Sequence, residues 1–118
     1  MKTILVAEDN DSNYILMTYI LKRDYEFKRA KNGQEAVDMV NEGGFDLVLM
    51  DIKMPVMDGL TATQQIKDAH PELPVIALTA NAFDSDRHAA FEAGCNDFLS
   101  KPVNAEKCIQ TIAKFIGE

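Results

Sequence analysis

Five residues of this 118-residue chain have the chemistry of a reactive centre: the adjacent acids Glu8 and Asp9, then Asp51, Thr79 and Lys101. Each stands just past a short apolar run. Two carboxylates about 4 Å apart repel by roughly 4 kcal/mol at an effective dielectric of 20, so three gathered together demand a cation. Oxygen-only ligands select a hard ion. Mg²⁺ fits, because it tolerates one or two carboxylates with waters and an incoming phosphate, and no His or Cys is at hand to favour zinc. A carboxylate can also be a nucleophile toward phosphorus, giving an aspartyl phosphate whose charge a metal and a lysine neutralise. Thr79 would then hydrogen-bond a phosphoryl oxygen. Taken singly, each residue has an ordinary reading: Glu8 and Asp9 favour a helix N-terminus, Asp51 opens a turn, Thr79 ends a strand and Lys101 is a surface lysine. Their joint placement at strand ends, in this order, is what singles them out.

The elements that must position them follow from periodicity. Strand-like runs at residues 3–7, 27–30, 46–50, 74–78 and 97–99 alternate with segments of helical period, the pattern of a parallel sheet with helices on its faces. The helix faces read as Ile15, Leu16, Tyr19 and Ile20; Ala36, Val37 and Val40; Ala62, Ile66 and Ala69; Ala89, Ala90 and Ala93; and Ile109, Ile112, Ala113 and Ile116. Asn32 with Glu35 suits a capping box, Gly43 and Gly44 end that helix, and Asp58, Ser85 and Asn104 are candidate N-caps. Right-handed crossovers then favour an α/β fold: a doubly wound, flavodoxin-like five-stranded parallel sheet in the order 2-1-3-4-5. In such sheets ligands bind beyond the carboxyl ends of the strands. Strands 1 and 3 are neighbours with 4 and 5 beyond, so the five residues converge on one crevice with Asp51 near its centre.

Composition bounds the rest. The length suits one domain over residues 1–118, and 47% apolar with 26% charged residues is ordinary globular composition. A net charge of −7 argues against nucleic-acid binding, and Lys22, Arg23, Lys28, Arg29 and Lys31 read as a solvated face. The apolar runs are too short to span a bilayer, and the N-terminus lacks the parts of a signal peptide, so a cytoplasmic location without membrane contact is expected. Cys95 and Cys108 have no CxxC spacing and read as buried thiols, and His70 and His88 as surface histidines.

Four stretches carry a resemblance over nearly the whole chain: ILVAEDN at 4–10, LVLMDIKMPVMDG at 47–59, PVIALTA at 74–80 and GCNDFLSKP at 94–102. Through them the sequence resembles the response-regulator receiver family of two-component signalling. The resemblance implies that Asp51 accepts a phosphoryl group from a histidine kinase or histidine phosphotransfer domain. It implies Mg²⁺ held by Asp9 directly, Glu8 chiefly through water, Asp51 and the Lys53 backbone carbonyl. Thr79 and Lys101 would hold the phosphoryl group, Ala80 would leave its approach open, and Pro55 and Gly59 would shape the loop after the acceptor. The Lys101–Pro102 bond would be cis, aiming the lysine inward, and Asn81 and Lys53 would sit where the family varies its dephosphorylation rate. By the same resemblance Phe98 would occupy the switch position, coupled to Thr79 and reshaping the face of helix 4, strand 5 and helix 5 toward an unnamed output partner, with plain core packing as its ordinary reading. Having no hydroxyl, it would act by packing alone. AEDNDSN at 7–13 and TANAF at 79–83 look most like receivers of hybrid histidine kinases.

Two other functions compete. A phosphohydrolase of the haloacid dehalogenase type places a second acid two residues after its nucleophile, where this chain has Lys53, and needs a cap domain. A pseudo-receiver typically loses a member of the constellation, and all five are present here. The expectation is a signalling receiver rather than an enzyme.

Overall fold

The computed structural model describes residues 1–54, 56–80 and 84–117. Runs of apolar residues with no polar face must be covered on both sides. The central strands β1 (Thr3–Ala7), β3 (Leu47–Asp51) and β4 (Val75–Thr79) meet that demand: β3 and β4 are buried throughout, β1 at all but its first residue. β2 (Glu26–Ala30) and β5 (Asp97–Ser100) form the edges. Exposed Glu26 and Lys28 on β2 discourage pairing with another chain. Every pairing is parallel, in the expected order β2-β1-β3-β4-β5.

Alternation along the strands builds two cores. Ile4, Val6, Leu47, Leu49, Ile76 and Leu78 pack with Met17 and Leu21 of α1 (Asp11–Leu21) and Cys108 and Ile112 of α5 (Ala105–Ile116). Their neighbours Leu5, Ala7, Val48, Met50, Val75 and Ala77 pack against α2 (Gly33–Glu42), α3 (Gly59–Ala69) and α4 (Asp84–Ala93) on the other side. The sheet is therefore doubly wound.

Local departures from expectation have physical causes. β3 and β4 each run one residue further than their apolar runs, because the ladder pairs Asp51 with Leu78 and Thr79 with Ser100 whatever the side chain. α1 is apolar nearly all round, which hides its buried stripe. It buries Met17, Ile20 and Leu21, leaving Ile15 53% and Tyr19 66% exposed, with Leu16 also exposed. In α3, Thr63 is buried and Ala69 is exposed. α4 begins at Asp84, so Ser85 lies in its first turn and is not the cap.

The other caps form. Asn32 Oδ1 accepts from the Glu35 amide at 2.8 Å, while Glu35 reaches back to the Lys31 amide, one residue beyond a strict capping box. Asp58 and Asn104 cap α3 and α5, Asn10 caps α1, and Gly43 and Gly44 take φ of 91° and 96° after α2. Cys95 and Cys108 are free and buried. His88 is exposed and paired with Glu92; His70 is half-buried and bonds Asn41. No helix among the described residues is long and apolar enough to cross a membrane. The roles expected of Pro55 and Asn81 lie outside the described residues.

Candidate functional site

The carboxyl edge of the sheet gathers the candidate residues. Continuing the alternation of β1, Glu8 points to the same side as Ile4 and Val6, and Asp51 to the same side as Leu47 and Leu49. The two carboxylates thus meet on neighbouring strands. Lys101 follows β5, its amide bonded to the Thr79 carbonyl at 2.7 Å, and the Lys101–Pro102 bond is cis. Its Nζ lies 2.9 Å from Glu8 Oε1 and 3.0 Å from Asp51 Oδ2. Asp51 Oδ1 accepts from the Lys53 amide at 3.2 Å.

Charge in this place is costly. Glu8 is only 1% exposed, and its pKa is pushed from 4.5 up to about 7, first by burial and then by Asp51 beside it, with Lys101 opposing. Burial alone would lower the Lys101 pKa, but its bonds to Glu8 and Asp51 and their charges hold it above its ordinary value. Oxygens of Glu8, Asp9 and Asp51 lie within 4.8 Å of one another. One ammonium facing three carboxylates leaves excess negative charge. Buried Glu8 Oε1 also has no well-directed hydrogen bond, although the lysine ammonium is in ion-pair range. A hard divalent cation fits such an all-oxygen set.

Beside the acids a crevice of about 150 Å³ is lined by Asp51, Lys53, Thr79, Ala80, Asp86 and Lys101. Its floor loop is pinned by close packing: a Cβ on Gly59 would stand 2.0 Å from the Asp51 carbonyl oxygen, and one on Gly33 would stand 2.1 Å from that of Met57. Thr79 shares the sheet face of Val75 and Ala77, the face on which Phe98 also packs. The Phe98 ring is held edge-on by Phe91 at 6.3 Å, with the Arg87 guanidinium 5.3 Å from its centroid.

Glu8, Asp9, Asp51, Lys53, Thr79 and Lys101 therefore converge, and Phe98 stands on the neighbouring strand. Two residues beside the site were not foreseen. Asp86 lines the crevice from α4, and no sequence pattern marked it. Arg29 was grouped with a solvated basic face, yet its side chain is only 16% exposed and donates to the Glu8 carbonyl. The legible signal was alternation: Arg29 is two residues from Phe27 on β2 and shares its side of the strand.

The response regulator receiver domain model matches residues 4–113. The chain belongs to the response-regulator receiver family. This receiver is 40% identical over 121 residues to hybrid signal transduction histidine kinase M of Dictyostelium discoideum, covering 96% of this chain and 5% of that protein. It is similar at TM-score 0.91 and 35% identity to a chain in the co-crystal structure of the Saccharomyces cerevisiae histidine phosphotransfer protein Ypd1 with the receiver domain of Ssk1, covering 97% of this chain and 88% of that one. A Pseudomonas aeruginosa sensor histidine kinase receiver, with a magnesium ion coordinated in its active-site cleft, matches at TM-score 0.92 and 34% identity, over 99% and 98% of the two chains. The receiver is thus of the two-component and phosphorelay type.

Proposed function

We propose that residues 1–118 act as one receiver unit in which Asp51 takes a phosphoryl group from the phosphohistidine of a histidine kinase or histidine phosphotransfer protein. The observation that carries this reading is the Asp51 carboxylate on the crevice floor, bonded to Lys101 Nζ at 3.0 Å and to the Lys53 amide at 3.2 Å. An Asp51 oxygen attacks phosphorus, the P–N bond to the imidazole breaks, and the electron pair leaves with the ring nitrogen. Lys101 offsets charge on the transferring oxygens, and the Thr79 hydroxyl donates to one of them. Glu8, Asp9, Asp51 and the Lys53 carbonyl would hold Mg²⁺, which supplies further neutralisation of the phosphoryl oxygens when bound. Hydrolysis of the acyl phosphate resets the switch, so the receiver signals rather than turning over a metabolite.

Exposed Ile15, Leu16 and Tyr19 on α1 offer the phosphohistidine donor an apolar surface, and Leu16 lines a cleft with Lys101, Pro102 and Val103. Proteins, rather than nucleic acid or membrane, are the partners of this acidic domain, in the cytoplasm. The output is read from α4, β5 and α5 through Thr79 and Phe98. Incubation with acetyl phosphate and Mg²⁺ should give a labile phosphoryl adduct by intact mass, absent in Asp51→Asn. Equal labelling of Asp51→Asn would refute the assignment.

A further inference from the structure

The turn that carries Glu8 and Asp9 is held from behind by one side chain. Arg29, on edge strand β2, donates from Nε to the Glu8 carbonyl at 3.0 Å and from Nη2 to the Asp9 carbonyl at 3.3 Å. The same Nη2 lies 2.9 Å from Asp11 Oδ1, and the guanidinium sits 4.6 Å from the centroid of Tyr14, whose ring meets Phe27 edge-on. We propose that Arg29 is a positioning residue for cation binding, fixing the backbone of the acidic pair through its two carbonyls without itself bonding either carboxylate. This rests on reading Glu8 and Asp9 as cation ligands.

The choice of partners supports the role. A guanidinium bonded to the carboxylates would compete with the cation for them; bonded to the carbonyls, it orients the ligands without occupying them. Its charge is met by Asp11, on the helix side of the turn. The turn is held at its other end as well, where Asn10 caps α1 through the Asn13 amide at 3.0 Å and its own amide bonds Glu8 Oε2 at 3.3 Å. Ordering ligands before the ion arrives removes a cost that binding would otherwise carry, and loss of such outer partners typically weakens metal binding tenfold or more. Arg is suited to this because its planar fork reaches two acceptors at fixed geometry, which a lysine ammonium on a flexible stem does not reproduce.

Charge and geometry make opposite predictions, so they can be separated. Arg29 is a cation near a cation site, and its charge alone opposes Mg²⁺. Titration of the unphosphorylated protein with Mg²⁺, followed by amide shifts and calorimetry, should show Arg29→Lys, which keeps the charge, binding about tenfold more weakly than the starting protein. Arg29→Met should also bind more weakly. Tyr14→Leu keeps the guanidinium but removes its aromatic platform, and should weaken binding about two- to fivefold even if Arg29 variants fold poorly. Unchanged affinity in Arg29→Lys or in Tyr14→Leu, or tighter binding in Arg29→Met, would overturn the positioning role. Failure of the starting protein to bind Mg²⁺ at all would instead overturn the ligand assignment on which it rests.

Discussion

Glu8 carries the clearest pH signature. Its folded pKa of about 7 exceeds the ordinary 4.5, so between these values the folded protein holds a proton that the unfolded chain has released. Stability of the metal-free protein should therefore fall as pH rises from about 4.5 to 7, by at most roughly 3 kcal/mol, and stay low above that window. Chemical denaturation at pH 5 and pH 8 in the presence of a chelator checks this. Mg²⁺ should restore stability at pH 8, and Glu8→Gln should flatten the slope. Val56 makes a second prediction at this scale. It is β-branched, 83% exposed, and has φ of 69°, so it bears left-handed strain without compensating burial. Val56→Asn, a residue that tolerates this conformation, should stabilise the fold by about 1 kcal/mol, seen as a rise in Tm of about 4 °C. An unchanged or lower Tm would count against strain at this position.

Elements position these residues through packing that leaves little slack. α3 begins against the end of β3: the Gly59 amide bonds the Ile52 carbonyl at 2.7 Å, and any Cβ there meets the Asp51 backbone. Gly59→Ala should cost about 3 kcal/mol and displace the loop after Asp51, with weakened Mg²⁺ binding as the accompanying readout. β4 and β5 set Thr79 and Phe98 on one sheet face, so phosphoryl binding and the α4 side of the molecule should share a coupling of about 1 to 3 kcal/mol. NMR with beryllofluoride and Mg²⁺ should show shifts at Phe98 and along α4 that are reduced in Thr79→Ala, whereas Mg²⁺ affinity alone stays largely intact. Shifts confined to Glu8, Asp9 and Asp51 would refute the coupling. Much of this scaffold was legible in sequence, because the three central strands covered on both faces repeat an unambiguous apolar pattern and the caps at Asn32, Asp58 and Asn104 have local chemistry. α1 was misread where apolar residues surround the helix and only tertiary packing selects the face. Arg29 was misread because a local cluster of cations says nothing of what lies across the sheet. Asp86 depends on where α4 starts, and the cap read at Ser85 sets that start two residues too late.

At the scale of the whole molecule, the parallel sheet brings residues separated by up to 93 positions, Glu8 to Lys101, into one ion-paired cluster. Repulsion sits at the centre with a lysine beside it, and on the proposed reading a cation and a phosphoryl group complete the charge balance. On the proposed reading, Asp51 in that setting is the phosphoryl acceptor. The most direct test is transfer from a phosphorylated histidine phosphotransfer protein, with borohydride reduction to convert any aspartyl phosphate to homoserine before peptide sequencing. Transfer through Asp51 predicts homoserine at position 51 in the presence of Mg²⁺ and none with chelator. Homoserine at another aspartate, or at position 51 without any divalent ion, would contradict it.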